Sequence, residues 1–259
     1  MASLDEDLAA MCGVLGLHAG DAVVLYESDF AASVVQGRSR GPRGRGPLCA
    51  DVDVMVPFHY RVVVETLPDG LRVARFPTAR EQPGGGPGYS WFSAYACGRG
   101  AVLRAPTVWG FTVVLPRPVE LAERCRHHEN RFVLSVGRED KENLVGLRFD
   151  GPDELVWVRG SDARAAGGAS LDRLPLGARL VGGERLRFTV GVDRDRGVVA
   201  ASVRCSAPDV DVGSVCPVAV DLARADCVVV APAGNALSSD TDAALFARLA
   251  SIVVVGPAR

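Results

Sequence analysis

The sequence predicts a mainly β protein: an antiparallel β-sandwich or two β-rich domains, with short N-terminal and C-terminal helices. Three observations lead there. Short apolar segments recur, and some alternate with polar residues, as Val52, Val54 and Val56 do. Turn-forming clusters separate them, among them Leu67-Pro68-Asp69-Gly70-Leu71 and Asp150-Gly151-Pro152-Asp153. The chain has 259 residues, 48% of them hydrophobic, which is enough to bury a core without disulfides.

Residues 3–16 are expected to form the first helix. Ser3 would cap it, Asp5 and Glu6 suit its positive end, and Leu4, Leu8, Met11, Cys12 and Leu15 share one face. Residues 22–27 follow as a strand. Residues 37–47 hold four Arg, four Gly and two Pro, a composition with nothing to pack, and are expected to form an exposed flexible loop. Residues 52–56, 59–65 and 71–76 read as strands, the last two joined by the Pro68-Asp69-Gly70 turn. A Gly/Pro-rich loop over 82–88 precedes Tyr89, Trp91, Phe92 and Tyr95. A strand over 108–115 ends at Pro116. Residues 120–130 suit a short helix, and 131–136, 144–149 and 154–158 three strands.

The expected organisation is a β-rich domain over 1–160, a possible linker over 161–176, and a second β-rich segment over 177–259. The second segment contains a hairpin of 185–192 with 198–204 and a strand over 215–222. It ends in strand, helix, strand: 226–231, a helix capped at 238–242 and running to about Ser251, then 252–255. Such a run could be a small crossover unit.

Composition narrows the function classes. Lys plus Arg is 29 against 31 for Asp plus Glu, a net charge of −2, which argues against a globally basic nucleic-acid binder. Lys141 is the only lysine and Ile252 the only isoleucine. Folding does not require this, so it is read as codon bias of a GC-rich genome, with a DNA virus favoured as the source. The N-terminal residues lack a basic stretch followed by an apolar one, and no apolar run is long enough to span a bilayer. A cytoplasmic or nuclear protein with no membrane partner is therefore expected, its seven cysteines reduced and mostly buried.

Tests for chemistry are mostly negative. There is no G-x-S-x-G elbow, no C-x-x-C, no H-E-x-x-H and no phosphate-binding loop. His127 and His128 are adjacent, a poor spacing for one metal ion on a helix. The D-x-D pairs Asp193/Asp195 and Asp209/Asp211 could face one cation from a strand, but the first pair fits a hairpin turn. No catalytic residue, metal site or cofactor is assigned. Tyr89, Trp91, Phe92 and Tyr95, after their Gly-rich loop, are the candidate protein-binding residues. Arg38, Arg40, Arg43 and Arg45 are candidates for a weak, salt-sensitive nucleic-acid contact.

In strand pattern, residues 131–158 resemble SPRY-like and neuralized-like recognition modules, which are hairpin-rich sandwiches. The whole chain is similar in style to the dUTPase-derived accessory proteins of herpesviruses; it contains no dUTPase motif, so no active-site residue is carried over. The expected function is that of an intracellular, non-enzymatic protein-interaction factor, an accessory, host-modulating protein of a GC-rich DNA virus with a partner of unknown identity. Two alternatives stand beside it: an enzyme or enzyme-derived protein whose site joins distant His and Asp residues, and a nucleic-acid-binding accessory protein that uses the Arg/Gly loop.

Overall fold

Alternating side chains make each strand two-faced, and two such sheets bury their apolar faces against each other. This is the arrangement seen in the computed structural model, which describes residues 5–18, 20–28, 45–48, 50–56, 63–75, 94–115, 132–138, 143–159, 170–206, 209–212, 217–230 and 248–258. One helix, α1 (Glu6–Val14), comes first. The strands are β1 (Ala22–Ser28), β2 (Val52–Val56), β3 (Val63–Thr66), β4 (Arg72–Arg75), β5 (Ala94–Arg99), β6 (Thr107–Val114), β7 (Phe132–Gly137) and β8 (Asn143–Phe149). They continue as β9 (Glu154–Arg159), β10 (Ser170–Pro175), β11 (Arg185–Asp193), β12 (Val198–Ser206), β13 (Asp209–Val212), β14 (Val218–Ala219), β15 (Cys227–Val230) and β16 (Arg248–Pro257).

The first sheet has the order β13-β12-β11-β6-β16-β4-β3, with β1 also on β16 and β14 also on β12. The second runs β10-β9-β8-β7-β15-β5-β2. The pairings described are antiparallel, and a bulge between Leu249 and Ser251 lets β16 keep its apolar residues inward along its length. Trp109, Phe111, Leu186, Phe188 and Val190 of the first sheet join Leu134, Leu147, Trp157 and Val228 of the second in one core. Phe188 stacks on Phe111, ring centroids 5.3 Å apart, and meets Phe149 of the opposite sheet edge-on at 6.4 Å. Burying each such side chain stabilises the fold by about 1.5–3 kcal/mol.

Helix α1 covers the outer face of the first sheet. Leu8, Met11, Cys12 and Leu15 pack on Val108, Ala200 and Val255. The sheet makes room with glycines. A Cβ on Gly110 would stand 3.0 Å from Leu8 Cδ2, and one on Gly191 would stand 3.1 Å from Met11 Sδ.

The structure bears on several of these expectations. The helix cap is Asp5, whose Oδ1 accepts from Asp7 N at 3.0 Å, and not Ser3. Residues 248–251, expected to finish a C-terminal helix, begin β16; the rest of that expected helix lies outside the described residues. Strands β15 and β16 belong to different sheets, so they form no crossover unit. Of residues 215–222, only Val218–Ala219 is strand among those described. Within the expected linker, Ser170–Pro175 is β10, hydrogen-bonded to β9. Strands from residues 1–160 and from 177–259 share both sheets: β6 lies between β11 and β16, and β15 between β7 and β5. The Arg/Gly segment ends anchored. Arg45 and Glu27 exchange two backbone hydrogen bonds of 2.8 Å, and Leu48 is buried in the core. The expected helix over 120–130 lies outside the described residues. No helix among the described residues is long and apolar enough to cross a membrane.

Candidate functional site

The most exposed large apolar side chain of the described residues lies where the chain passes from one sheet to the other. Between β10 and β11, residues 176–184 cross an end of the sandwich. Leu176 and Leu180 are buried and act as anchors. Leu176 N donates to Asp153 O and Leu180 N to Pro152 O, both at 2.8 Å. Gly183 N donates to Leu115 O at 3.0 Å, and Leu115 N donates to Glu184 O at 2.9 Å.

Glu184 organises the tip. Its side chain is buried, and its carboxylate accepts from Val181 N at 2.5 Å and from Gly182 N at 2.7 Å. Gly182 and Gly183 have φ of 105° and 84°, a region that favours glycine. The turn therefore needs both glycines and the glutamate. It leaves Val181 73% exposed, with Arg179 also exposed beside it. Ion pairs flank the loop. Arg185 pairs with Asp69 of the β3–β4 turn, and Arg173 with Glu154 and, at 3.5 Å, Asp150. Strand β5, which follows Tyr89, Trp91 and Phe92 in the chain, begins at this same end. Its Ala94 is opposite Val56, and its Ala96 is opposite Val230.

Of the aromatic candidates, Tyr95 falls in β5, whereas Tyr89, Trp91 and Phe92 lie outside the described residues. Trp109 and Trp157 are core residues. Of the arginine candidates, Arg38, Arg40 and Arg43 lie outside the described residues. Arg45 forms an exposed ion pair with Glu27 at 3.1 Å, so part of the charge of this segment is compensated within the chain.

Asp193 and Asp211, one from each D-x-D pair, have structural partners. Asp193 is buried in the β11–β12 turn, accepting from Arg196 N at 3.0 Å, with Arg196 Nη1 3.7 Å from its other oxygen. Asp211 pairs with Arg204 at 3.6 Å. Burial raises the Cys12 thiol above its ordinary pKa, which disfavours the reactive thiolate. His59, His127 and His128 lie outside the described residues. Among the described residues, no three His, Cys, Asp or Glu side chains are grouped to hold a metal ion.

The tip was not among the sites expected from the sequence. The available signal was an apolar pair, Leu180-Val181, set directly before two glycines and a glutamate.

These features define a two-sheet antiparallel β-sandwich with a braced loop at one end. Solved structures of similar arrangement include basic winged bean lectin with Tn-antigen, with 10% identity, TM-score 0.45, and coverage of 90% of this chain and 98% of that one. Peanut lectin is similar at 12% identity and TM-score 0.41, covering 90% and 97%. A GH131 β-glucanase catalytic domain from Podospora anserina is similar at 13% identity and TM-score 0.43, covering 90% and 95%. No protein-family model and no curated protein matches the chain.

Proposed function

We propose that this chain is a recognition module that binds a protein partner through the end of the sandwich formed by residues 176–184. The observation that carries this reading is Val181: a β-branched apolar side chain held 73% exposed on a turn that Glu184 has already ordered. A tip ordered before contact has little conformational entropy left to lose on docking, so its apolar surface is effective for binding. The aromatic run Tyr89, Trp91 and Phe92, with Tyr95, supports the same end, because β5 starts there. The arginine-for-lysine composition supports a GC-rich DNA virus as the source, which would make the partner a host protein met in the cytoplasm or nucleus.

The test is site-specific photo-crosslinking in cells, with a photoreactive amino acid at position 181 and, as control, at Asp195, an exposed turn residue outside this loop. A discrete adduct at 181, absent at 195 and lost when Trp91→Ala is added, is expected. An adduct pattern at 181 no different from that at 195 would overturn the reading.

A further inference from the structure

We propose that α1 is a latched strap that opens as a unit from an otherwise intact sandwich, with Asp5 and Asp7 gripping Arg187 and Arg204 as its latch and Cys12 as the thiol it hides. Arg187 and Arg204 are directly opposite each other on β11 and β12. Like charges in that position repel. The helix supplies the counter-charge. Asp5 pairs with Arg187, and Asp7 lies 2.9 Å from Arg204 and 3.8 Å from Arg187. The only other acid described at this pair is Asp211, 3.6 Å from Arg204. The positive end of a helix dipole beside two guanidiniums is unfavourable, and the acidic first turn offsets it.

At its other end, among the described residues, α1 is held by one long-range hydrogen bond, Arg196 Nη1 donating to Leu15 O at 2.8 Å. It contributes no strand to the sheet, and beyond it Gly16, at φ 76°, turns the chain toward β1. Opening therefore breaks the Leu8, Met11, Cys12 and Leu15 packing and the ion pairs, and leaves every strand pairing in place. A terminal element that leaves both sheets paired when it detaches exposes less apolar surface than global unfolding does, and so opens below the free energy of global unfolding. The open state uncovers Val108, Ala200 and Val255 beside Arg187, which loses its helix carboxylates, and Arg204, which keeps Asp211, a surface the closed protein lacks.

The full chain is treated briefly with N-ethylmaleimide under native conditions, and labelling of each cysteine is followed by peptide mass spectrometry. Cys205, buried in the sandwich core, reports global unfolding. Cys12 should react faster than Cys205. Asp7→Asn should raise the Cys12 rate about fivefold at low salt, the size expected for two lost ion pairs, with Cys205 unchanged. High salt should accelerate Cys12 in the unaltered protein in the same way. Glu6→Gln, an exposed acid in the same turn, should not. One common rate for Cys12 and Cys205 would overturn the strap. A Cys12 rate equal in Asp7→Asn and Glu6→Gln and indifferent to salt would overturn the latch.

Discussion

A hydrogen atom is all that Gly98 of β5 presents to the opposite sheet. A Cβ there would stand 2.5 Å from Trp109 Cη2, 2.8 Å from Trp109 Cζ2 and 3.1 Å from Val102 Cγ2, closer than atoms pack. Trp109 is fully buried, and its indole N–H donates to Thr107 Oγ1 at 3.2 Å, so the ring cannot turn aside without losing that bond. Gly98→Ala is therefore expected to cost about 1–3 kcal/mol, the usual result of overpacking a filled core. Urea unfolding followed by tryptophan fluorescence measures it; an unchanged midpoint would show that the sheets give way at this point. Nothing local in the sequence marks Gly98 among 29 glycines, because its reason is a tryptophan on the other sheet. Gly70, by contrast, was legible: Pro68-Asp69-Gly70 names its own turn, and Gly70 has φ 88°.

Elements show the same division between local and distant causes. The β3–β4 hairpin was legible because its turn and both flanking runs are written contiguously. Its attachment was not. Leu249 opposite Ala74 is the single backbone pairing of β4 with β16 among the described residues, and a side-chain tie supplements it. Glu65 of β3 receives Nε of Arg248 from β16 and Nε of Arg75 at 3.1 Å. Burial acts to raise the Glu65 carboxyl, but hydrogen bonds and charge from Arg248 and Arg75 prevail and hold it below the ordinary glutamate value. A depressed carboxyl stabilises the fold above its unfolded pKa, and that contribution disappears as pH falls through the folded value. Glu65→Gln should therefore lower the urea midpoint at neutral pH, and the gap from the unaltered protein should close as pH drops below about 4. A gap that stays constant with pH would show that the tie is not ionic. The misreadings at β10 and β16 have a related origin. Residues 170–175, Ser-Leu-Asp-Arg-Leu-Pro, follow a Gly/Ala-rich run and have weak alternation, yet the exposed edge of β9 supplies the backbone partners that make them a strand. Residues 248–251 carry a helical spacing of apolar residues, and β6 overrides it by pairing.

At the scale of the whole molecule, a division of this chain near 161–176 is a statement about cooperativity, and the topology bears on it directly. β6 has Arg185–Val192 of β11 along one edge and Arg248–Val255 of β16 along the other. Strand β15 in turn fills the place between β5 and β7. A fragment ending at 160 would lack both neighbours of β6 and would have a gap in the middle of its second sheet, each with unpaired backbone groups facing apolar surface. A fragment beginning at 170 would keep β11 and β12 without the sheet they pack against. The strand pattern revealed the two-sheet class because alternation is local. It could not reveal the partners, because Phe188 and Phe149 meet across 39 residues of chain and the gap between them in space is set by both sheets together. Two fragments, 1–160 and 161–259, are therefore expected to be unfolded when made separately and to regain the far-ultraviolet β spectrum, and cooperative melting, when refolded together. If either fragment alone melts cooperatively with a dispersed amide spectrum, the shared sheets are not needed for its stability, and the two-domain reading of the sequence is the correct one.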